Sequence, residues 1–156
     1  MVEPVPAHLH TVVPRLVFDD ARAAIAFYEQ AFGAELVDEP FADPDGKIVH
    51  AEVRIGDSVV FVTDEGDDGN GIAPRSVGGR VTALMTLNVP DVDPLWARAI
   101  DAGCEEIYPL ATQFYGDRGG RLRDPFGHQW LLSTHVEDVS REELDRRMQE
   151  WVEQNA

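Results

Sequence analysis

The chain has one cysteine, Cys104, in 156 residues. A single thiol cannot close an intramolecular disulfide, and it excludes zinc or iron–sulfur sites built from several cysteines. Basic residues are scarce too. Thirteen Lys and Arg stand against 29 Asp and Glu, leaving a formal net charge of −16. Nucleic-acid binding draws on clustered Lys and Arg, so this balance argues against a phosphate-backbone partner and against anionic membrane surfaces. No apolar run approaches the roughly 18 residues of a spanning helix. The N-terminus, Met1-Val-Glu-Pro-Val-Pro, lacks a basic and apolar leader, so no secretory signal is expected. P-loop and intact G-x-G-x-x-G patterns are missing as well. Apolar residues make up 44% of the chain, enough for an ordinary core. The expectation is a soluble, reduced, cytoplasmic protein.

Residues 1–11 carry two prolines, Pro4 and Pro6, and read as an extended lead-in. Residues 12–18 are apolar and β-branched, with Pro14 marking an edge or bulge. Asp19-Asp20 offers a cap for a helix over 21–32, closed by Gly33. A strand is expected over 34–41, then a hairpin of strands 48–55 and 58–63 turning at Gly56-Asp57. A Gly- and Asp-rich linker, 64–80, cannot sustain a periodic face. The pattern then restarts: a strand over 81–89, a helix capped at Asp93-Pro94 and ending at Gly103, and a strand over 105–109. A turn at 116–120 and strands 121–123 and 129–133 complete the second half. Asp20 and Asp91 are 71 residues apart, as are Gly56 and Gly127. The punctuation therefore repeats, and a duplicated βαβββ module is expected over 12–63 and 81–139. Beyond it, Ser140-Arg-Glu-Glu143 has capping-box spacing and opens an amphipathic helix over 140–156 with Leu144, Met148 and Trp151 in one stripe.

The segments Leu16-Val-Phe-Asp-Asp20, Phe27-Tyr28, Phe32-Gly33 and His50-Ala-Glu-Val-Arg-Ile-Gly-Asp57 carry a resemblance, as do Asp91, Gln113-Phe-Tyr-Gly-Asp-Arg118 and Asp124-Pro-Phe-Gly-His-Gln-Trp130. Across residues 12–139 the chain resembles the vicinal oxygen chelate superfamily, in its PhnB-like glyoxalase/bleomycin resistance protein/dioxygenase branch. The resemblance implies an α+β fold: tandem βαβββ modules forming a curved mixed sheet around a cavity, followed here by the C-terminal helix. Metal-using members hold an ion with four side chains, typically His and Glu. The matching positions here are Val13, Leu84, Val60 or Phe61, and Leu131 or Leu132, none of which donates a lone pair to a divalent ion. The resemblance thus implies the cavity, with no metal and no cofactor.

Arg15 stands two residues from Val13 and shares its face in a strand. It would hold a carboxylate, enolate or phenolate, or else pair with an internal acid; both readings stand. Thr86 has the equivalent place beside Leu84. His50 and Glu52 are candidates for an acid–base pair or a grip on a cation, against a plain polar sheet face. A zinc deaminase reading of His50-x-Glu52 fails for want of Pro-Cys-x-x-Cys. Phe114, Tyr115 and Arg118 form an aromatic, charged loop suited to a planar ligand, against a packed turn in which Asp117 and Arg118 pair. Phe61, Phe114 and Leu131 are expected as apolar walls.

Trp96 and Trp130 are expected in the core, His128 in a turn, and His8 and His10 in solvent. The calcium-loop look of 64–75 fails, because Gly66 and Arg75 replace two ligands. The expected partner is a small organic molecule, an antibiotic or toxic metabolite that is sequestered, and the expected assembly a homodimer. The competing reading is an enzyme of the same family, a lyase, isomerase or dioxygenase with relocated metal ligands or a metal-free His50/Glu52 pair.

Overall fold

A computed structural model describes residues 2–66, 69 and 71–156. Met1 of the lead-in and Asp67, Asp68 and Asn70 of the linker lie outside the described residues. The architecture is α+β, with two mixed sheets, each βαβββ-like, and a C-terminal helix. The chain divides into two compact units, residues 1–82 with 125–128, and residues 83–124 with 129–156.

In the first unit, β1 (Arg15–Phe18) leads into α1 (Ala21–Phe32), followed by β2 (Glu35–Leu36), β3 (Phe41–Ala42), β4 (Ile48–Ile55) and β5 (Ser58–Asp64). The sheet order is β1-β5-β4-β2, with β3 also on β4, and β1 runs parallel to β5. β1 is shorter than the apolar run suggested, beginning only after Pro14, which has no N–H to give a ladder. The strand expected over 34–41 is broken into β2 and β3, with a register shift where β3 meets β4.

α1 forms because Ala21, Ala24, Ile25, Tyr28, Ala31 and Phe32 recur at helical spacing and are all buried. Asp20 caps it by accepting from the Ala23 N–H at 2.9 Å, and Gly33 ends it at φ 67°, the left-handed region. The carboxylate of Asp64 accepts from the N–H groups of both Ala21 (2.6 Å) and Ile48 (2.7 Å), tying the helix start to the strands. Phe18, Tyr28, Phe27 and Phe126 pack edge to face with centroids 5.6–6.0 Å apart. His128, expected in a turn, directly follows the 125–127 turn, and its Nε2 lies 2.9 Å from the Val17 carbonyl.

In the second unit the order is β6 (Met85–Asn88), α2 (Val92–Ala102), β7 (Glu105–Thr112), β8 (Asp117–Arg123), β9 (Gln129–His135) and α3 (Arg141–Asn155), with sheet order β6-β9-β8-β7. The repeat of the first unit is visible in the caps. Asp91, equivalent to Asp20, caps α2 by accepting from Asp93 N–H, and Gly103 ends it at φ 119°. The expected cap at Asp93 is therefore corrected by two residues. Trp96 and Trp130 are buried, and Trp130 Nε1 donates to the buried Asp124 at 3.0 Å.

The turn expected over 116–120 lies earlier. Gly116 N–H donates to Gln113 O (3.1 Å), and Gly119 and Gly120 are inside β8. Their glycine character comes from close approach. A Cβ on Gly120 would lie 2.6 Å from the Trp96 ring, and one on Gly119 2.7 Å from the Leu132 carbonyl oxygen.

Candidate functional site

In the first unit, strand alternation sorts the sheet into two faces. Leu16, Phe18, Val53, Val60 and Val62 are buried in the core, with α1 packed on β1, β4 and β5. On the other face Arg15 pairs with Phe61, and Phe61 with Glu52, so these three side chains form one cross-strand row. Of the two alternatives for a family metal position on β5, Phe61 thus shares the face of Arg15 and Val60 does not. Pairing continues past the end of β1, where the Pro14 carbonyl accepts from Phe61 N–H at 2.8 Å. Arg15 is exposed, and among the described residues it forms no ion pair. The internal acid considered for it is absent from that set. Thr63, next to Phe61 on the same face, is 2% exposed, and its hydroxyl has no hydrogen-bond partner among the described residues.

Glu52 is the electrostatic centre of this face. Its Oε2 lies 2.8 Å from His8 Nε2 and its Oε1 lies 3.3 Å from His50 Nε2. Partial burial works to raise the Glu52 pKa, but the two imidazoles outweigh it and hold the carboxyl below its ordinary value. The His50 ring meets Phe61 edge to face at 4.8 Å. His8, expected in solvent, is exposed but also bonded to the sheet at Glu52. His10 follows it, with Nε2 at 3.3 Å from the Asp57 carbonyl. No local signal announces the His8–Glu52 contact, since 44 residues separate the partners.

In the second unit the register places Thr86, Leu131 and Arg121 in one row, with Tyr108 paired to Arg121. The Arg121 guanidinium lies 5.1 Å from the Tyr108 ring centroid, and its buried Nε has no hydrogen-bond partner among the described residues. Leu131 rather than Leu132 therefore shares the face of Thr86. Leu132 falls in the row of Leu87 and Gly120, on the side of Trp96.

Arg118 alternates with Gly120 and Leu122, so it lies on the face opposite Thr86. It is held there by two bonds to Asp93, at 2.7 and 2.6 Å. Phe114 contacts Tyr115 at 5.4 Å and Trp151 of α3 at 6.0 Å, while Tyr115 is exposed. The structure thus groups Arg15, His50, Glu52 and Phe61 on one sheet face and Thr86 with Leu131 on another. It places Phe114, Tyr115 and Arg118 on neither. The sequence reading missed Arg121 and Tyr108. The alternation of Arg121, Leu122 and Arg123 was the available signal, obscured once Gly119-Gly120 was read as a turn.

Residues 8–132 match the sequence profile of the Glyoxalase/Bleomycin resistance protein/Dioxygenase superfamily. The chain belongs to this superfamily. Its relatives include an uncharacterized protein of Mycobacterium tuberculosis, 41% identical over 139 residues, covering 86% of this chain and 80% of that protein. TioX of a Micromonospora species has a similar fold, with a TM-score of 0.62 and 26% identity over 81% of this chain and 99% of TioX. A PhnB protein of Bacillus cereus shares the fold at a TM-score of 0.59 and 16% identity, over 80% of this chain and 99% of its own.

At the positions that the resemblance assigns to metal ligands, Val13, Val60 or Phe61, Leu84, and Leu131 or Leu132, every side chain is a hydrocarbon and donates no lone pair to a divalent ion. Among the described residues no three His, Cys, Asp or Glu side chains are gathered for a metal elsewhere.

Proposed function

We propose that this superfamily member is a metal-independent small-molecule binding protein, sequestering an antibiotic or toxic metabolite in the cytoplasm. The observation that carries the reading is the aliphatic or aromatic character of all four inherited ligand positions, together with an Arg15 that has no ion pair among the described residues and shares a sheet face with Phe61. An apolar surface with a few placed polar groups suits an organic ligand and gives a divalent ion nothing to bind. The single cysteine, free in the structure, suits a reducing setting. The net charge of −16 makes nucleic acid an unsuitable partner.

Two measurements test this. Metal analysis of purified, dialysed protein should find no stoichiometric zinc, iron, nickel or manganese. A thermal-shift screen of small molecules should give hits that Arg15→Leu abolishes while leaving the unliganded melting temperature unchanged; equal shifts in both proteins remove Arg15 from the site.

A second reading has its own observation, the 3.3 Å approach of His50 Nε2 to Glu52 Oε1. In an enzyme without metal this pair would move a proton at His50 Nδ1, with Glu52 orienting the ring through Nε2. Turnover of a bound hit that disappears in His50→Gln would favour that reading over sequestration.

A further inference from the structure

The row Arg15–Phe61–Glu52 spans three adjacent strands, β1, β5 and β4. Neighbouring strands lie about 4.8 Å apart, so the Cα atoms of Arg15 and Glu52 are separated by about 10 Å. A guanidinium stands at one end of the row and a carboxylate at the other, with a phenyl ring between them. The two charged ends do not pair with each other. Among the described residues Arg15 has no acidic partner, and the side chains that engage Glu52 are the imidazoles of His8 and His50. We propose that this face receives a zwitterionic organic molecule, its anionic group at Arg15, its apolar body over Phe61 and its cationic group at Glu52. The proposal rests on the binding reading above and names its ligand class.

The chemistry excludes the single-charge alternatives in turn. A purely anionic ligand long enough to cover Phe61 would bring its far end against Glu52, in a protein of net charge −16. A purely cationic one would leave Arg15 uncompensated beneath it. A molecule with both charges satisfies both ends at once, and two charge-assisted contacts at fixed separation select for length as well as sign. His8 holds the place of the cation. It comes from the lead-in, is bonded at Glu52 Oε2, and an ammonium would displace it while His50 keeps Oε1.

Isothermal titration of the full chain with 4-(aminomethyl)benzoate, benzoate and benzylamine tests this directly. The zwitterion should bind at least about tenfold tighter than either half-molecule. Arg15→Gln should weaken the zwitterion and benzoate by about tenfold and leave benzylamine unchanged. Glu52→Gln should weaken the zwitterion and benzylamine and leave benzoate unchanged. His8→Ala should strengthen the zwitterion several-fold, a gain that a folding defect cannot imitate.

The comparison of the three probes on the unaltered protein stands whatever the variants do to folding. A zwitterion that binds no better than benzoate, or fails to bind at millimolar concentration, overturns the proposal. If the thermal-shift screen still yields Arg15-dependent hits in that case, the binding reading survives and only the ligand class falls. If it yields none, both fall.

Discussion

Arg15 and Arg118 are both arginines in β-strands, yet register gives them opposite uses. Arg118 is spent on Asp93, two hydrogen bonds that lower the Asp93 pKa and raise its own. Arg15 projects from a sheet face with nothing of opposite sign in reach among the described residues. An exposed side chain without a partner contributes little to stability, so Arg15→Leu should change the unfolding free energy by no more than about 0.5 kcal/mol, measured by urea titration. Cys104 is the converse case. Burial, followed by the Asp124 charge, pushes its thiol up to about 12, so the nucleophilic thiolate is essentially unpopulated in the folded chain. Ellman's reagent at mildly alkaline pH should label it only after denaturant is added; rapid labelling of the native protein would contradict this burial.

The contact between β8 and α2 depends on a missing side chain. Trp96 lies where a Cβ on Gly120 would be, so Gly120→Ala must push the indole aside or shift the strand. A loss of about 1–3 kcal/mol in a denaturant titration is expected, the cost of overpacking; an unchanged midpoint would mean that Trp96 relaxes freely. α3 is held differently. Ser140 caps it by accepting from Glu143 N–H at 3.2 Å, but the return half of the expected capping box is not made. The Glu143 carboxylate turns instead to Arg146 and Arg147, which draw its pKa down to about 2 from an ordinary 4.5. Arg147 also reaches Glu137 and the Phe114 carbonyl, tying the helix to the loop before β8. A lowered carboxyl pKa stabilises above the unfolded value and loses that contribution as pH falls through the folded one. Between pH 4.5 and about 2, Trp151 should therefore release from Phe114. Fluorescence of Trp151 should follow this, and the acid transition should flatten in Glu143→Gln.

For the whole molecule the open question of assembly falls on exposed apolar groups. Met148, Trp151 and Val152 of α3 are 44%, 49% and 51% exposed, although Trp151 already touches Phe114. A large aromatic left half in water on a charged helix is an unusual use of apolar surface, and a second copy of the chain is the proposed cover. Light scattering at tens of micromolar should give twice the 17.3 kDa chain mass, and Trp151→Glu should halve it. A monomer in both would end the dimer reading.

Local chemistry in the sequence determined most of the architecture. The helical spacing of Ala24, Ile25, Tyr28 and Phe32, the caps at Asp20 and Gly33, and the Gly56-Asp57 hairpin all act within a few residues, so no distant contact was needed to read them. The apolar replacement of four ligand positions was equally legible, since it is a matter of side-chain identity alone. Tertiary structure decided the rest. Gly119-Gly120 reads as a turn until the Leu132 carbonyl and the Trp96 ring are seen to occupy the space that side chains at Gly119 and Gly120 would take. The one-residue ambiguity between Val60 and Phe61, or Leu131 and Leu132, moves a side chain to the opposite face of a sheet, and only the strand register resolves it. The His8–Glu52 pair, and the lack among the described residues of an acidic partner for Arg15, depend on which segments meet across long stretches of chain. A sequence records which charges exist; folding settles which of them find a partner and which stay available to a ligand.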